Sequence, residues 1–177
     1  PVPNISGIGN LRSELGIPPG ATVFGRYGGV ETFDIPFVQR TVQLVSSLRP
    51  DLYFIFMSTN PFCCSESPNV KFLEASADPE RRARFVATCD AMLHARTNGE
   101  TFGVAIGEFS SQNKPIITYS APIDQVHLMI LQEKALLYHD PASLQKLLMR
   151  FNRTDAEARD WNAYRPFSPE RAMHRFL

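Results

Sequence analysis

Short apolar runs rich in β-branched and aromatic residues alternate along the chain with longer amphipathic stretches. This alternation is typical of stacked βαβ units, in which crossover helices connect the strands of a parallel sheet. It predicts six strands, at residues 22–27, 52–57, 70–73, 91–94, 115–119 and 135–138. The fold class is therefore α/β, a doubly wound parallel sheet with helices on both faces.

Helical patterns lie between these strands, at residues 35–48, 79–88, 101–111 and 141–151, and a last helix is predicted to end at Phe176. Three helix starts carry a capping residue directly before a proline: Asp78-Pro79, Asp140-Pro141 and Ser168-Pro169. Doubly wound sheets bind ligands outside the carboxyl ends of their strands. We therefore expect the functional site in the loops that follow the strands.

A chain of 177 residues is long enough for one sizeable core, which we assign to residues 21–160. Residues 1–20 are rich in glycine and proline and are interpreted as the end of a linker followed by a short helix over residues 10–15. The first residue is Pro1 rather than Met, which indicates a processed product or an excised part of a longer protein.

The charge balance argues against an electrostatic partner such as nucleic acid, since 18 Lys and Arg oppose 18 Asp and Glu. Any anion must be held by local groups. No apolar run is long enough for a transmembrane segment, and the N-terminus lacks a signal-peptide pattern. Three cysteines cannot form a disulfide framework, so a reducing, cytoplasmic location is expected.

The first strand leads into Gly25-Arg26-Tyr27-Gly28-Gly29. Paired glycines at a strand end let backbone N–H groups come close to a phosphate, and Arg26 adds a forked cation. The dinucleotide fingerprint G-x-G-x-x-G is absent. A tight turn with a surface arginine remains an alternative explanation of these residues.

The most informative segment runs from Glu100 to Glu108 at the start of a predicted helix. At 1.5 Å per residue the two carboxylates are about 12 Å apart along the helix, so they could hold opposite ends of one ligand. The free N–H groups at residues 101–104 suit a diphosphate. Because a carboxylate beside a diphosphate would repel it, each acid needs uncharged hydroxyls as partners, which points to a nucleotide sugar.

Two glycines within this segment, Gly103 and Gly107, are predicted to share one helical face. Each costs roughly 1 kcal/mol relative to alanine in a helix, so something is expected to approach that face closely. Tight packing of the helix on the sheet is the alternative.

The order of these motifs resembles the C-terminal lobe of GT-B fold glycosyltransferases, in particular the retaining family called glycosyl transferases group one. The resemblance covers nearly the whole chain and rests on the GRYGG loop, the VKFL strand and residues 89–122. Its most specific element is Glu100-x₇-Glu108 followed by Asn113-Lys114-Pro115-Ile116-Ile117. It implies a Rossmann-like single lobe that binds a nucleotide-diphosphate sugar, with no cofactor and no metal.

By resemblance, the first glutamate, Glu100, faces the donor sugar and Glu108 binds the ribose, while Arg26 helps to hold the diphosphate. Arg26 and Glu100 are thus the candidate catalytic residues. Further donor contacts are expected from the glycine pair and the helix start, at Gly28, Gly29, Thr101, Phe102, Gly103 and Val104. The base is expected near residues 74–77.

One departure from the family concerns the lysine that usually follows the arginine by several residues, which this chain lacks. Either Arg26 and the helix start suffice, or Arg96 or Lys114 substitutes, or the donor binds weakly. His94 could face the site from a strand end, although a structural role is the commoner one for such a histidine. The run Arg81-Arg82-x-Arg84 is interpreted as a solvated helix face.

The resemblance also implies a partner, either an N-terminal acceptor-binding lobe or a separate chain. Residues 161–177 are expected to form the C-terminal helix that crosses to that lobe, and the isolated chain to bind donor but transfer little sugar. Two alternatives stay open at this point. One is a nucleotide-sugar epimerase of GT-B fold, and the other is a non-catalytic nucleotide-binding or assembly module.

Overall fold

The sheet of this protein is seen in a computed structural model that describes residues 7–62 and 67–168. The strands are β1 (Thr22–Tyr27), β2 (Leu52–Met57), β3 (Val70–Leu73), β4 (Ala91–Leu93), β5 (Ile116–Tyr119) and β6 (Ala135–Tyr138). They form one sheet in the order β3-β2-β1-β4-β5-β6, and every neighbouring pair is parallel. The predicted doubly wound α/β sheet is confirmed, with β4 and β5 each one residue shorter than predicted.

The helices of the described residues are α1 (Pro36–Leu48), α2 (Pro79–Thr88), α3 (Val104–Ser111), α4 (Val126–Leu131), α5 (Pro141–Arg150) and α6 (Arg153–Glu157). Both predicted capping carboxylates act as expected. Asp78 accepts a hydrogen bond from the Glu80 N–H at 3.0 Å, and Asp140 accepts one from the Ser143 N–H at 2.7 Å. The last predicted helix, from residue 169 onward, lies outside the described residues.

Two helix predictions need correction. α3 begins at Val104 rather than at residue 101, because Gly103 adopts a left-handed conformation with φ of 72°. Gly103 therefore caps the helix and does not share a helical face with Gly107. Residues 12–16 form consecutive turns after a bend at Leu11, instead of the short helix predicted over residues 10–15.

The core lies on both faces of the sheet. On one face, α1 and α5 cover β1 and β2 through residues such as Val42, Leu148 and Phe54. On the other face, α2 and α3 pack through Phe85 and Phe109. Strand residues alternate between the two clusters, as the period of two in a strand requires.

The segments that flank the central domain also contribute to the second face. Leu11 is fully buried, and its N–H donates to the Thr88 hydroxyl at 2.8 Å. Near the other end, Trp161 and Tyr164 are both buried. Residues 161–177 were expected to cross to another lobe. Residues 161–168 include side chains that pack on this lobe, and residues 169–177 lie outside the described part.

The strand order reverses between β1 and β4, which are neighbours in the sheet but lie on either side of the β2-β3 pair in sequence. A crevice forms at such a point because the connections from the two strands leave in opposite directions. The loops that begin at Gly28 and at His94 open onto this crevice. Among the described residues, no helix is both long and apolar enough to cross a bilayer.

Candidate functional site

A cleft of about 690 Å³ lies outside the carboxyl ends of β1 and β4. Its lining combines the glycine pair, both glutamates of the motif and two arginines; the residues are Tyr27, Gly28, Gly29, Thr32, Met57, Ser58, Ala75, Ser76, Arg82, Arg96, Glu100, Val104, Ala105 and Glu108. The fold thus brings the GRYGG loop and the Glu100-x₇-Glu108 segment to one cavity.

Arg26 lies beneath the cleft and is only 3 % exposed. Its guanidinium donates to the Gly29 carbonyl at 2.8 Å, to the Ser58 carbonyl at 3.2 Å and to the hydroxyls of Thr59 and Thr32. None of these partners is charged, and no ion pair with Arg26 occurs among the described residues. Burial, opposed in part by Glu100, lowers the pKa of Arg26 to about 10.

The glycine pair is shaped around this arginine. A Cβ atom at Gly28 would lie 2.8 Å from Nη2 of Arg26, so a larger residue would push the guanidinium aside. Gly29 is exposed and supplies the carbonyl that Arg26 holds. The turn is tight, as the alternative explanation required, but its arginine is buried rather than on the surface.

Glu100 enters the cleft from the loop between β4 and α3. Its Oε1 atom lies 2.8 Å from Nη1 of Arg96 and 3.8 Å from Nε2 of His94. Burial opposes the charged form, but the contacts with His94 and Arg96 outweigh it and lower the pKa of Glu100 to about 2. The carboxylate is therefore charged at neutral pH, and Arg96 partly neutralises it.

The start of α3 lies between the two glutamates. Thr101 and Val104 are exposed, Gly103 is buried, and the Phe102 ring packs on Tyr164 with centroids 5.3 Å apart. The Phe102 carbonyl accepts a hydrogen bond from the Tyr164 hydroxyl. The first N–H groups of a helix have no partner within it, so this end of α3 offers donors and the positive end of a dipole.

Glu108 lies one turn into α3 and faces β1. Its Oε2 atom accepts a hydrogen bond from the hydroxyl of Tyr27. Burial and the neighbouring Glu108 raise the pKa of Tyr27 above its usual range, so the phenol stays protonated and donates. The sequence reasoning missed Tyr27, although strand alternation places it on the face of β1 opposite to Arg26.

Two cations, Arg82 and Arg96, line the cleft. Arg96 was one of the predicted substitutes, whereas Arg82 in α2 was interpreted as part of a solvated helix face. Lys114, the other predicted substitute, lines a different cavity together with Asp90 and Pro115, beside the start of β5. Ala75 and Ser76 line the cleft in the loop where the base was expected.

A group of buried polar side chains supports Glu100 from below. His94, Thr118 and His127 have exposures of 5 %, 0 % and 0 %. His94 was considered as a residue facing the site, but His127 was set aside because it shares no sequence spacing with the acids. Within the described residues, no three His, Cys, Asp or Glu side chains are grouped as a metal site.

Comparison with protein-family models and with curated proteins gives no match for this chain. Comparison with solved structures gives many. TarM superposes with a TM-score of 0.68 at 12 % identity, over 100 % of this chain and 36 % of that one. WaaG, described as a glycosyltransferase involved in lipopolysaccharide biosynthesis, superposes with a TM-score of 0.63 at 16 % identity, over 93 % of this chain and 48 % of that one.

HepE from Anabaena, solved in complex with UDP and glucose, superposes with a TM-score of 0.65 at 18 % identity, over 89 % of this chain and 46 % of that one. The chain thus spans about a third to a half of the proteins it resembles. Sequence identities this low establish the fold alone. The strand order and these superpositions confirm the expected architecture: the chain has the fold of one lobe of the GT-B glycosyltransferases.

Proposed function

We propose that this chain is the donor-binding lobe of a glycosyltransferase, which holds a nucleoside-diphosphate sugar in the cleft and assists transfer of the sugar to an acceptor hydroxyl. The observation that carries the proposal is the position of Glu100 and Glu108 in one cleft, on either side of the start of α3. Two carboxylates separated by a helix start suit a ligand with a charged centre and two hydroxylated ends.

The diphosphate would lie at the start of α3, between the carboxylates. Backbone N–H groups near Val104 and the helix dipole favour negative charge there. Arg82 and Arg96 line the same cleft. Arg26, below the glycine turn, adds a positive charge to this side of the site. The positive charges of these groups balance the negative charges of the two carboxylates. The cleft therefore suits a ligand that carries both a charged diphosphate and uncharged hydroxyl groups.

The ribose would bind at Glu108, whose carboxylate already accepts a hydrogen bond from a phenol hydroxyl, that of Tyr27. A carboxylate has about four acceptor positions, so ribose hydroxyls can donate to Glu108 beside Tyr27. The base would extend toward Ala75 and Ser76, which line the cleft after β3. The donor sugar would extend the other way, toward Glu100.

Catalysis would be mainly electrostatic. As the bond between the sugar and the diphosphate breaks, negative charge grows on the departing oxygen, and donors fixed in advance stabilise it. In this lobe those donors are the N–H groups at the start of α3 and the arginine side chains. We further propose that transfer is metal-independent and retains the anomeric configuration, as in the family that the sequence resembles.

The lobe would need a second one to bind the acceptor. Large apolar side chains are exposed in loops and helix starts that follow β1, β4 and β5, at Val30, Val104, Ile123, Val126 and Met129. Of these, Val104 lines the cleft itself. Exposed apolar side chains suit contact with another protein surface. We therefore propose that an acceptor-binding lobe, in the same or a separate chain, closes over this edge and excludes water.

Calorimetric titration with UDP, GDP, ADP and dTDP and with their sugars tests the proposal. Glu108→Ala removes a charged acceptor, so it should weaken binding of the matching nucleotide about tenfold to a hundredfold. Glu100→Ala should leave the nucleoside diphosphate unaffected and abolish the additional affinity gained from the sugar. Glu133→Gln, which alters an exposed glutamate outside the cleft, is the control.

Three outcomes separate the candidates. Loss of ribose affinity in one variant and of sugar affinity in the other supports the donor site. Nucleotide binding that is equally tight with and without sugar in the parent protein favours a non-catalytic nucleotide-binding module. If both glutamate variants bind every ligand as the parent does, the assignment of the motif is wrong.

A further inference from the structure

A chain of hydrogen-bonding groups runs through the interior from the backbone of Glu100 to its own side chain. Nδ1 of His127 lies 3.2 Å from the Glu100 nitrogen, and Nε2 of His127 lies 3.5 Å from the Thr118 hydroxyl. The same hydroxyl lies 2.9 Å from Nδ1 of His94. Nε2 of His94 then faces Oε1 of Glu100 at 3.8 Å. This chain of contacts links His94 after β4, Thr118 in β5 and His127 in α4 to the carboxylate of Glu100.

Burial leaves the members of this chain few other partners. Both imidazole rings are buried, and their centroids are 5.2 Å apart. Nε2 of His94 has no hydrogen-bond partner among the described residues, although it is shielded from solvent. A buried nitrogen without a hydrogen-bond partner costs free energy, so the charged and polar groups around it determine which tautomer of the ring is stable.

The charge of Glu100 sets the direction of the hydrogen bonds. A carboxylate favours an N–H over a nitrogen lone pair, so His94 carries its proton on Nε2 and accepts from the Thr118 hydroxyl at Nδ1. The Thr118 oxygen then accepts from Nε2–H of His127. Nδ1 of His127 is left to accept the Glu100 N–H. The Glu100 N–H, the Nε2–H of His127 and the Thr118 hydroxyl then each have an acceptor, and the Nε2–H of His94 faces the charged Oε1 of Glu100 at 3.8 Å, beyond hydrogen-bond distance.

The opposite arrangement of donors and acceptors is unfavourable at His94. His127 would donate from Nδ1 to the Glu100 carbonyl, which lies 3.1 Å away, and Thr118 would donate to His127. His94 would then donate from Nδ1 and present the lone pair of Nε2 to a charged carboxylate. Burial lowers the pKa of His94, and burial together with His94 lowers that of His127 to about 4, so neither ring escapes this conflict by protonation at neutral pH.

We propose that Thr118 and His127 hold His94 as the neutral Nε2–H tautomer, and that His94 and Arg96 together fix Oε1 of Glu100, leaving the other oxygen for a ligand hydroxyl. His94 is thus a positioning residue that acts through Glu100. The part about the ligand rests on the proposed function, whereas the part about the tautomer does not. A fixed carboxylate distinguishes hydroxyl positions on a sugar better than a mobile one.

The tautomer is tested by nitrogen chemical shifts of the histidine rings in ¹⁵N-labelled protein at pH 7. The parent protein should show a protonated Nε2 and an unprotonated Nδ1 in both His94 and His127. Glu100→Ala removes the carboxylate that favours a proton on Nε2, so His94 should also populate the Nδ1–H form, while Glu133→Gln should keep the parent pattern. A charged ring, or an Nδ1–H tautomer of His94 in the parent, would overturn the proposal.

Binding tests the positioning role separately. Thr118→Val should weaken the affinity for the nucleotide sugar about threefold to tenfold, the worth of one hydrogen bond, and leave that for the nucleoside diphosphate unchanged. Equal weakening of both ligands would mean a structural role and would overturn the positioning claim. If no nucleotide sugar binds to the parent protein, the proposed function is wrong. The nitrogen spectra still test the tautomer in that case.

Discussion

Arg26 carries a positive charge into the protein interior, and no carboxylate of the described residues is paired with it. Its fork is held by two carbonyl groups and two hydroxyls, all four from the loops after β1 and β2. The side chain therefore fixes the shape of both loops before any ligand arrives. The cations that line the cleft are different residues, the half-buried Arg82 and Arg96, and neither of them holds these two loops.

This division of roles predicts different effects of two alanine substitutions. Arg26→Ala leaves buried acceptors without a donor and should lower the free energy of unfolding by about 2 to 3 kcal/mol. Arg82→Ala should change it by less than about 0.5 kcal/mol, yet weaken binding of nucleoside diphosphates. Urea denaturation and calorimetry measure the two quantities. A stability loss for Arg82→Ala equal to that for Arg26→Ala would contradict the assignment.

The sequence was enough to identify cleft residues that lie close to one another along the chain. Glu100 and Glu108 were predicted from their spacing around a helix start, and both line the cleft. His94 and His127 could not be connected in the same way, because they are 33 positions apart in sequence and come together only in the fold, in direct ring contact and through Thr118 in β5. Residues that strand pairing brings together can be far apart along the chain, so no regular spacing in a single sequence reveals their contact.

At the scale of elements, the start of α3 controls where the helix presents its N–H groups. Gly103 takes φ of 72°, and a Cβ atom there would lie 2.9 Å from Cδ1 of Ile106. The sequence predicted a helix from residue 101, since the amphipathic pattern runs through this position. It could not reveal a left-handed residue, because glycine is compatible with several backbone conformations.

Substitution of this glycine should weaken both the fold and the site. Gly103→Ala should lower the free energy of unfolding by about 1 to 2 kcal/mol, since L-residues rarely adopt the left-handed region and Ile106 must also move. Gly20→Ala is the matched control, because nothing lies within 4 Å of a Cβ atom there. Thermal and urea denaturation compare the two. Equal stability of both variants would show that the start of α3 tolerates a side chain.

Across the whole molecule, alternating apolar runs were enough to predict a doubly wound parallel sheet and its six strands. They were not enough to predict α4 and α6, which have six and five residues and are too short for a clear helical period. Leu11 and Trp161 illustrate a second limit. Both belong to segments expected to lead away from the lobe, yet both are buried in it, because burial of a single side chain depends on packing that no short pattern encodes.

The central claim is that the cleft between β1, β4 and α3 receives a nucleoside diphosphate and its sugar. Backbone amide chemical shifts, recorded during titration with UDP, GDP and ADP and then with the sugar of the nucleotide that binds, test it most directly. We expect the largest changes at Gly28, Gly29, Ser76, Val104 and Ala105, with none in the separate cavity lined by Leu147 and Trp161. Changes confined to that second cavity, or no change with any nucleotide, would contradict it.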